Sequence, residues 1–414
     1  MYKYYHLVII FLISILLNYE TFASNIDLSF EKKSIKQHCK LSFEQSDSTL
    51  FNSKWKVISS NDTFSEFIHS SELKMSVRKI LRGDKLYGLR YIFYNKNGKE
   101  KLMINTNKEC QIKLARLIIR DKKGGINSIA NLSADLDSLI NVEFLNPPVP
   151  RAEPHRGTKL ALIDTGVNYT IESINSKLSR ENELTLSGYD FEDDDNLPFD
   201  VDISRSEFFP FHHGTAVSSI IIREAPDAEI VVYRFPRSNM CKFKELIDHL
   251  ASKNIKVVNL SMGSSNASDW VCFREALIKH KSILFFVSAG NDGVNIDEKK
   301  VYPASFELEN IIVVTSADIF GNLARGSNYG INSVDFLIPG EQIPVIDHRG
   351  VKTKASGSSY AVPRLVSLTV RYLSKYPKAS ISDIRKLLIS RAVSKSEVVK
   401  YGWIPDPLDN YLFD

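Results

Sequence analysis

The 414-residue sequence is poor in several things at once. It holds 4 cysteines, 5 methionines and 3 tryptophans, and its 53 basic and 49 acidic side chains nearly cancel, leaving a net charge of +4. With the basic residues spread along the chain, there is no electrostatic footprint for nucleic acid. A bilayer-spanning helix needs roughly 20 apolar residues; Leu7 to Leu17 offers eleven, and no other stretch comes close. The 9 histidines show no metal-ligand spacing. There is no internal repeat and no low-complexity tract. What remains is a chain that is 43% hydrophobic and 25% charged, able to bury a sizeable core and long enough for two domains.

The short apolar run has its own meaning. Lys3 precedes it, and Thr21-Phe22-Ala23 follows with small residues at the two positions that a signal peptidase reads. Residues 1–23 therefore read as a signal peptide, with a retained anchor as the alternative. Export to a secreted or periplasmic location is expected, with no membrane attachment after cleavage. In an oxidising compartment the few cysteines become disulfide candidates. Of the three connectivities that four cysteines permit, pairing Cys39 with Cys110 and Cys241 with Cys272 keeps each bridge on one side of a proline-rich stretch; buried free thiols are the alternative.

That stretch, Asn146 to Gly157, has four prolines in twelve residues and reads as an extended, exposed connector. It divides the chain into an N-terminal domain over residues 24–146, a linker over 147–157 and a larger domain over 158–414. In the first, Tyr87 to Tyr94 and Lys99 to Ile104 are strand-like runs joined through Asn97-Gly98, a hairpin signal, so this domain is expected to be small and partly β.

The larger domain carries the chemistry. Lys159 to Ile163 is an apolar run that ends in Asp164-Thr165-Gly166, which places a carboxylate at the C-terminal end of a buried parallel strand. His213-Gly214-Thr215 opens a stretch of small and aliphatic residues suited to a buried helix; His212, beside it, reads as a supporting or surface residue. Ser359, in Gly357-Ser358-Ser359-Tyr360-Ala361-Val362-Pro363, begins an apolar helical stretch, with Pro363 expected in the first turn. A serine hydroxyl becomes a nucleophile when an imidazole takes its proton and a carboxylate orients that imidazole. Ser282 to Val287 is a further apolar strand, and it ends in Ser288-Ala289-Gly290-Asn291, whose amide could donate to an oxyanion together with the Ser359 N–H.

Taken together, these segments resemble those of subtilisin-type serine proteases, the peptidase family S8. The order Asp, His, Ser is the subtilisin order and not that of chymotrypsin or the α/β-hydrolases. The resemblance covers roughly residues 155 to 400. It implies a doubly wound, mainly parallel α/β sheet with helices on both faces, and an endopeptidase working through Asp164, His213 and Ser359 with Asn291 in the oxyanion hole. It also implies that Ser261, Met262, Gly263, Ala289 and Gly290 line the substrate cleft and that Val301, before Tyr302-Pro303, lies at the base of the S1 pocket. Ser327-Asn328-Tyr329-Gly330 is similar to a further structural signature. The sequence departs from the pattern where Ser218 and Ser219 replace Ala and Gly, Ser358 replaces Thr and Tyr360 replaces Met; no triad role is lost.

By the same resemblance the N-terminal domain is a removable propeptide, which would make the chain a zymogen; a retained accessory domain is the alternative. The acidic run around Asp190, Asp193, Asp195, Asn196 and Asp200 offers oxygen donors for a structural calcium ion, although it lacks EF-hand spacing and acidic runs are usually solvated loops. The chemistry itself calls for no cofactor. Partners are peptide or protein substrates, and nothing in the sequence speaks to oligomeric state. Two other functions stay open: a catalytically silent binding protein of the same fold, and an esterase.

Overall fold

The structure is a computed structural model that describes residues 27–43, 54–121, 124–393 and 397–409. The expected signal peptide lies outside the described residues. The chain divides into two compact units, one over residues 1–145 with Ser206–Phe209 and one over 146–205 with 210–414.

The first unit is an antiparallel meander. Its strands are β1 (Trp55–Ser60), β2 (Phe64–His69), β3 (Lys74–Arg82), β4 (Lys85–Tyr94), β5 (Glu100–Asn107), β6 (Ile112–Arg120), β7 (Ile126–Leu132) and β8 (Leu139–Phe144), and each pairs with its neighbour in sequence. The Asn97-Gly98 turn joins β4 to β5, with Gly98 at φ 75° and its N–H on the Asn95 carbonyl at 2.9 Å. Helix α1 (Ser29–Phe43) supplies Ile35 and Cys39 to a core with Phe67, Tyr91, Ile104 and Leu117. Cys39 and Cys110 are bridged. The unit is far richer in strand than the one hairpin signal suggested. The reason is that charged residues interrupt the apolar alternation in β3 (KMSVRKILR) and β6 (IKLARLIIR). Within this unit Phe208 is buried against Met103 and Ile118, and Glu207 pairs with Arg120.

The second unit is a parallel sheet of eight strands: β9 (Thr158–Asp164), β10 (Tyr189–Asp190), β11 (Ala228–Arg234), β12 (Val257–Leu260), β13 (Leu284–Ser288), β14 (Ile311–Ala317), β15 (Phe336–Pro339) and β16 (Gly402–Trp403). Their spatial order is β10-β11-β9-β12-β13-β14-β15-β16. Strands β11 to β14 are buried at every residue, as expected of strands covered on both faces. Successive residues feed opposite cores. Leu160, Leu162, Val232 and Phe286 pack with α2 (Gly214–Glu224), α5 (Ser358–Lys375) and α6 (Ile381–Arg391), whereas Ala161, Ile163, Tyr233 and Phe285 pack with α3 (Phe243–Ser252) and α4 (Val271–Lys279). Cys241 and Cys272 are bridged near the starts of α3 and α4.

The proline-rich connector carries no helix or strand and is mostly exposed or half-exposed, but it is anchored at a few points. Val149 is buried, the Tyr169 hydroxyl donates to the Pro147 carbonyl at 2.6 Å, and Arg180 Nη2 donates to the Pro150 carbonyl at 3.3 Å. Prolines lack N–H groups but keep their carbonyls, and here the second unit supplies the donors.

Candidate active site

Because β11 and β12 flank β9, the chain reverses its direction of travel across the sheet at β9, and its C-terminal end is a topological switch point. Asp164 is the last residue of β9 and sits beside Arg234 in register. Gly166, two residues on, has φ 93°, and any Cβ there would overlap the Phe199 carbonyl, so the turn away from the sheet requires glycine. The Asp164 carboxylate is buried and accepts the Thr165 N–H at 2.8 Å.

His213 is the N-cap of α2. Its Nδ1 lies 2.8 Å and 3.0 Å from the two Asp164 oxygens, which fixes the ring orientation and makes Nδ1–H the donor, leaving Nε2 as the acceptor. The ring lies between Phe211, stacked at 5.8 Å, and Tyr360 at 5.5 Å. Burial by itself would lower the imidazole pKa. The charge and hydrogen bond of Asp164, together with the charge of Asp200, outweigh that and the opposing Arg237, so the net direction is upward.

Ser359 is the second residue of α5, where the helix N-terminus favours negative charge. Its Oγ donates to the Ser261 carbonyl at 3.4 Å, and no hydrogen bond joins it to His213. A bond that long is weak and readily exchanged. Tyr360, the next residue, places its ring against His213. Pro363 falls in the second turn, not the first, because α5 starts at Ser358. Its missing N–H leaves the Ser359 carbonyl without its helical partner, and the Ser261 hydroxyl donates to that carbonyl at 3.1 Å. Ser261 thus holds both ends of the Ser359 residue. Helices α2 and α5 are tied together by the buried Arg364–Glu224 pair, with Arg364 Nε donating at 3.0 Å and 3.2 Å.

Asn291 faces the start of α5. Its Oδ1 accepts from the Ser358 N–H at 2.9 Å and from the Ser358 hydroxyl at 2.9 Å. With the oxygen spoken for, Nδ2 is the atom left to donate. Gly357 has φ 127°, and a Cβ there would press on Asn291 Oδ1 at 3.1 Å, so the approach needs glycine. The Ser358 hydroxyl also meets Ser288 Oγ at 2.7 Å; serine in this place keeps the hydroxyl that anchors Asn291. Asn328 braces the same loop from behind, accepting from Asp292 N–H at 2.9 Å and Val294 N–H at 3.1 Å while donating to the Ala289 carbonyl at 2.8 Å.

The presumed cleft segments also meet. Ser264 and Tyr302 exchange backbone hydrogen bonds at 2.9 Å and 2.8 Å. This sets Val301 against Gly263, where Val301 Cγ1 would lie 3.3 Å from a Cβ on that glycine. Met262 and Val301 pack on the same core as buried Ala289.

The side chains of the acidic run are engaged by groups of the chain itself. Asp190 pairs with Arg234 at 2.8 Å, Asp193 also pairs with Arg234, and the neighbouring Asp194 pairs with Lys242. Asp195 accepts the Asn146 amide at 2.7 Å and the Leu197 N–H at 2.8 Å. Burial pushes Asp190 up to about 6 despite Arg234. No side-chain ligand group forms here among the described residues. Asp200 stands apart from the run, fully buried beneath His213. The sequence reading grouped Asp200 with the run, although its apolar neighbours Phe199 and Val201 set it apart from the acids upstream.

The sequence profile of the Subtilase family matches residues 155–403, more than half the chain, and the chain belongs to that family of serine peptidases. Among curated proteins it is 29% identical over 233 residues to a thermophilic serine proteinase of Bacillus sp. (strain AK1), covering 53% of each. It is 23% identical to the epidermin leader peptide-processing serine protease EpiP of Staphylococcus epidermidis, covering 56% of this chain and 58% of that one. The chain thus spans little more than half the length of these relatives. Two solved structures share the fold at 20% identity: a lanthipeptide protease at TM-score 0.52, covering 63% of this chain and 89% of that one, and EpiP from Staphylococcus aureus at TM-score 0.50, covering 62% and 76%.

Proposed function

We propose that the chain is an exported serine endopeptidase. The observation that carries this reading is the pairing of His213 Nδ1 with both Asp164 oxygens beside a helix that begins at Ser358-Ser359. In the proposed reaction Ser359 Oγ attacks the scissile carbonyl carbon while His213 Nε2 takes its proton. The resulting oxyanion accepts from Asn291 Nδ2–H and the Ser359 N–H. Collapse breaks the C–N bond, and the proton passes from Nε2 to the leaving amine. Water, deprotonated by the same nitrogen, then adds to the acyl carbon, and as the C–O bond to Ser359 Oγ breaks the proton passes from Nε2 to Oγ, restoring the serine. Each group these steps use belongs to the chain itself.

Two relatives are named for leader-peptide processing, and a peptide segment that can lie extended beside Ser261-Met262-Gly263 is the substrate class this reading favours. Export rests on the signal-like residues 1–23 and agrees with two disulfides and no free cysteine among the described residues. Among the described residues no helix is long and apolar enough to cross a membrane. In the same reading the N-terminal unit is a propeptide, released by cutting near Arg151 or Arg156, whose side chains are 60% and 70% exposed.

A fluorophosphonate probe tests the chemistry: labelling of the wild type at Ser359, with none in Ser359→Ala or His213→Ala, is expected. Labelling that survives Ser359→Ala overturns the assignment. Intact-mass measurement of both forms tests maturation, since self-processing requires the cut to be absent from Ser359→Ala.

A further inference from the structure

The triad uses one carboxylate, yet a second one is buried beneath the same histidine and takes no part in the steps above. Asp200 is completely enclosed. One of its oxygens accepts the His213 backbone N–H at 3.0 Å and the Thr165 hydroxyl; the other accepts the Thr215 N–H at 3.0 Å. Thr165 in turn accepts from the His213 N–H at 3.1 Å and the Gly214 N–H at 3.0 Å. Thr165 directly follows Asp164, and its own N–H is held by the Asp164 carboxylate. Asp200 and Thr165 therefore form a bracket. One arm grips the chain just past the triad acid, and the other grips the first turn of the helix that carries the triad base.

The bracket solves a problem that the fold creates. Helix α2 begins with buried N–H groups, and its N-cap residue, His213, makes no side-chain cap because its ring is aimed at Asp164. Some other group must satisfy those donors. A remote carboxylate does so and adds a full negative charge where the helix dipole is positive.

We infer that Asp200 is a positioning residue for the catalytic base: it fixes the His213 backbone relative to Asp164 and supplies a second fixed negative charge to the imidazolium that forms during each turnover. This rests on the proposed triad reading. The two carboxylates differ in kind. Asp164 touches the imidazole and selects its tautomer, whereas Asp200 touches His213 only at its backbone N–H and acts on the ring through space. The Tyr360 hydroxyl registers the same field, being pushed up to about 12 by burial first and by Asp164 and Asp200 next.

The groups facing His213 are Asp164 on β9, Asp200, Arg237 beyond β11, and Tyr360 on α5, with His212 next in the chain, its ring stacked on His348. Both carboxylates raise the His213 pKa and Arg237 lowers it. A general base works in its neutral form, so the raised pKa moves the acid limb of kcat/KM to higher pH. Asp200→Asn keeps the volume, removes the charge and turns an amide N–H towards the Thr215 N–H. The acid limb should then move to lower pH, with kcat reduced on the order of 10- to 100-fold, the scale seen when supporting groups behind a reactive centre are removed, and with KM for a short peptide changed less than twofold. Asp164→Asn should cost far more, because it disturbs the tautomer directly.

The test has two arms. One is the pH profile of wild type and Asp200→Asn, normalised to active sites titrated with a fluorophosphonate. The other is the NMR pH titration of His213 in full-length Ser359→Ala with and without Asp200→Asn, which needs no turnover and so stands even if the peptidase reading fails. A downward shift of similar size in both arms supports the inference. A His213 titration unmoved by Asp200→Asn overturns it, whatever happens to the rate. If Asp200→Asn does not fold, Thr165→Val opens the bracket while keeping Asp200. A fall in kcat without a matching loss of thermal stability then supports the bracket, and an unchanged kcat refutes it.

Discussion

The two sheets of this chain are built by opposite rules. In the antiparallel unit every strand pairs with the strand before or after it, through turns such as Asn97-Gly98, so it brings together only residues already close in sequence. In the parallel unit β9 lies between β11 and β12, so neighbours in space come from distant parts of the chain. Local pairing is inexpensive in loop-closure entropy, and non-local pairing is not. The second arrangement gathers at one sheet edge what the first cannot: Asp164, His213 and Asn291, together with Ser359 at a helix start above them. Burial follows the same division. Strand β4 has both buried and part-exposed positions, whereas β11 is buried throughout, because one sheet has a wetter face and the other has helices on both.

The sharpest way to break this comparison is to remove the chemistry from the parallel unit. Ser359→Ala and His213→Ala should each cut casein turnover by about 10⁶-fold, since triad members act as a unit, and should leave the melting curve unchanged. Turnover that survives either change would place the active groups elsewhere. The next effect is structural. In a Ser359→Ala background that keeps the chain whole, replacing Cys39 and Cys110 with serine opens a loop of sequence separation 71 within the antiparallel unit. On the chain-entropy account this costs about 4 kcal/mol. Calorimetry should show one transition falling while the parallel unit's transition stays in place. Equal shifts in both would mean that the units melt as one.

Smaller again is the oxyanion contribution. Asn291→Ala removes the amide donor but keeps the Ser359 N–H, so kcat should fall by about 10²- to 10³-fold with little change in KM. Its Oδ1 also anchors Ser358, so Ser358→Ala separates the two roles. That variant keeps the donor, loosens its anchor, and should lose less than Asn291→Ala. A larger loss from Ser358→Ala would make the anchor, and not the donor, the important feature.

Legibility in the sequence follows the same physical divide. Asp164, His213, Asn291 and Ser359 could be read because each ends a buried apolar run or begins a helix amid small residues, a pattern that close packing imposes. The β4–β5 hairpin could be read from its turn. The remaining strands of the meander could not, since one-sided burial lets Lys79, Arg82 and Lys113 interrupt the alternation. Composition groups Asp200 with the acids at 192–195, while only the fold shows it enclosed beneath His213, with Asp193 paired to Arg234 and Asp194 to Lys242. Pro363 was placed a turn early because the helix start depends on the left-handed Gly357, whose φ no local propensity reveals. The anchoring of the connector could not be read, because its donors, Tyr169 and Arg180, come from later in the chain.

The finest test bears on how narrowly the parallel unit's edge is shaped. Val301 stands beside Gly263, in the wall made by the Ser264–Tyr302 backbone pair, where a smaller residue would leave a deeper recess. On the proposed reading its branched side chain fills volume that a large P1 side chain would need, and overpacking costs on the order of 1 to 3 kcal/mol. Wild type should therefore prefer Ala or Leu over Phe at P1. Val301→Gly should raise kcat/KM for Phe by roughly 10-fold or more, the scale set by that cost, while moving Ala and Lys little. Because Val301 carries no charge and is not among the groups that shift His213, the acid limb of the pH profile should stay where it is. A peptide series varying only P1, run on both forms, decides the matter. If the P1 order is the same in Val301→Gly as in wild type, Val301 does not bound the pocket, and the wall at Gly263 faces some other part of the substrate.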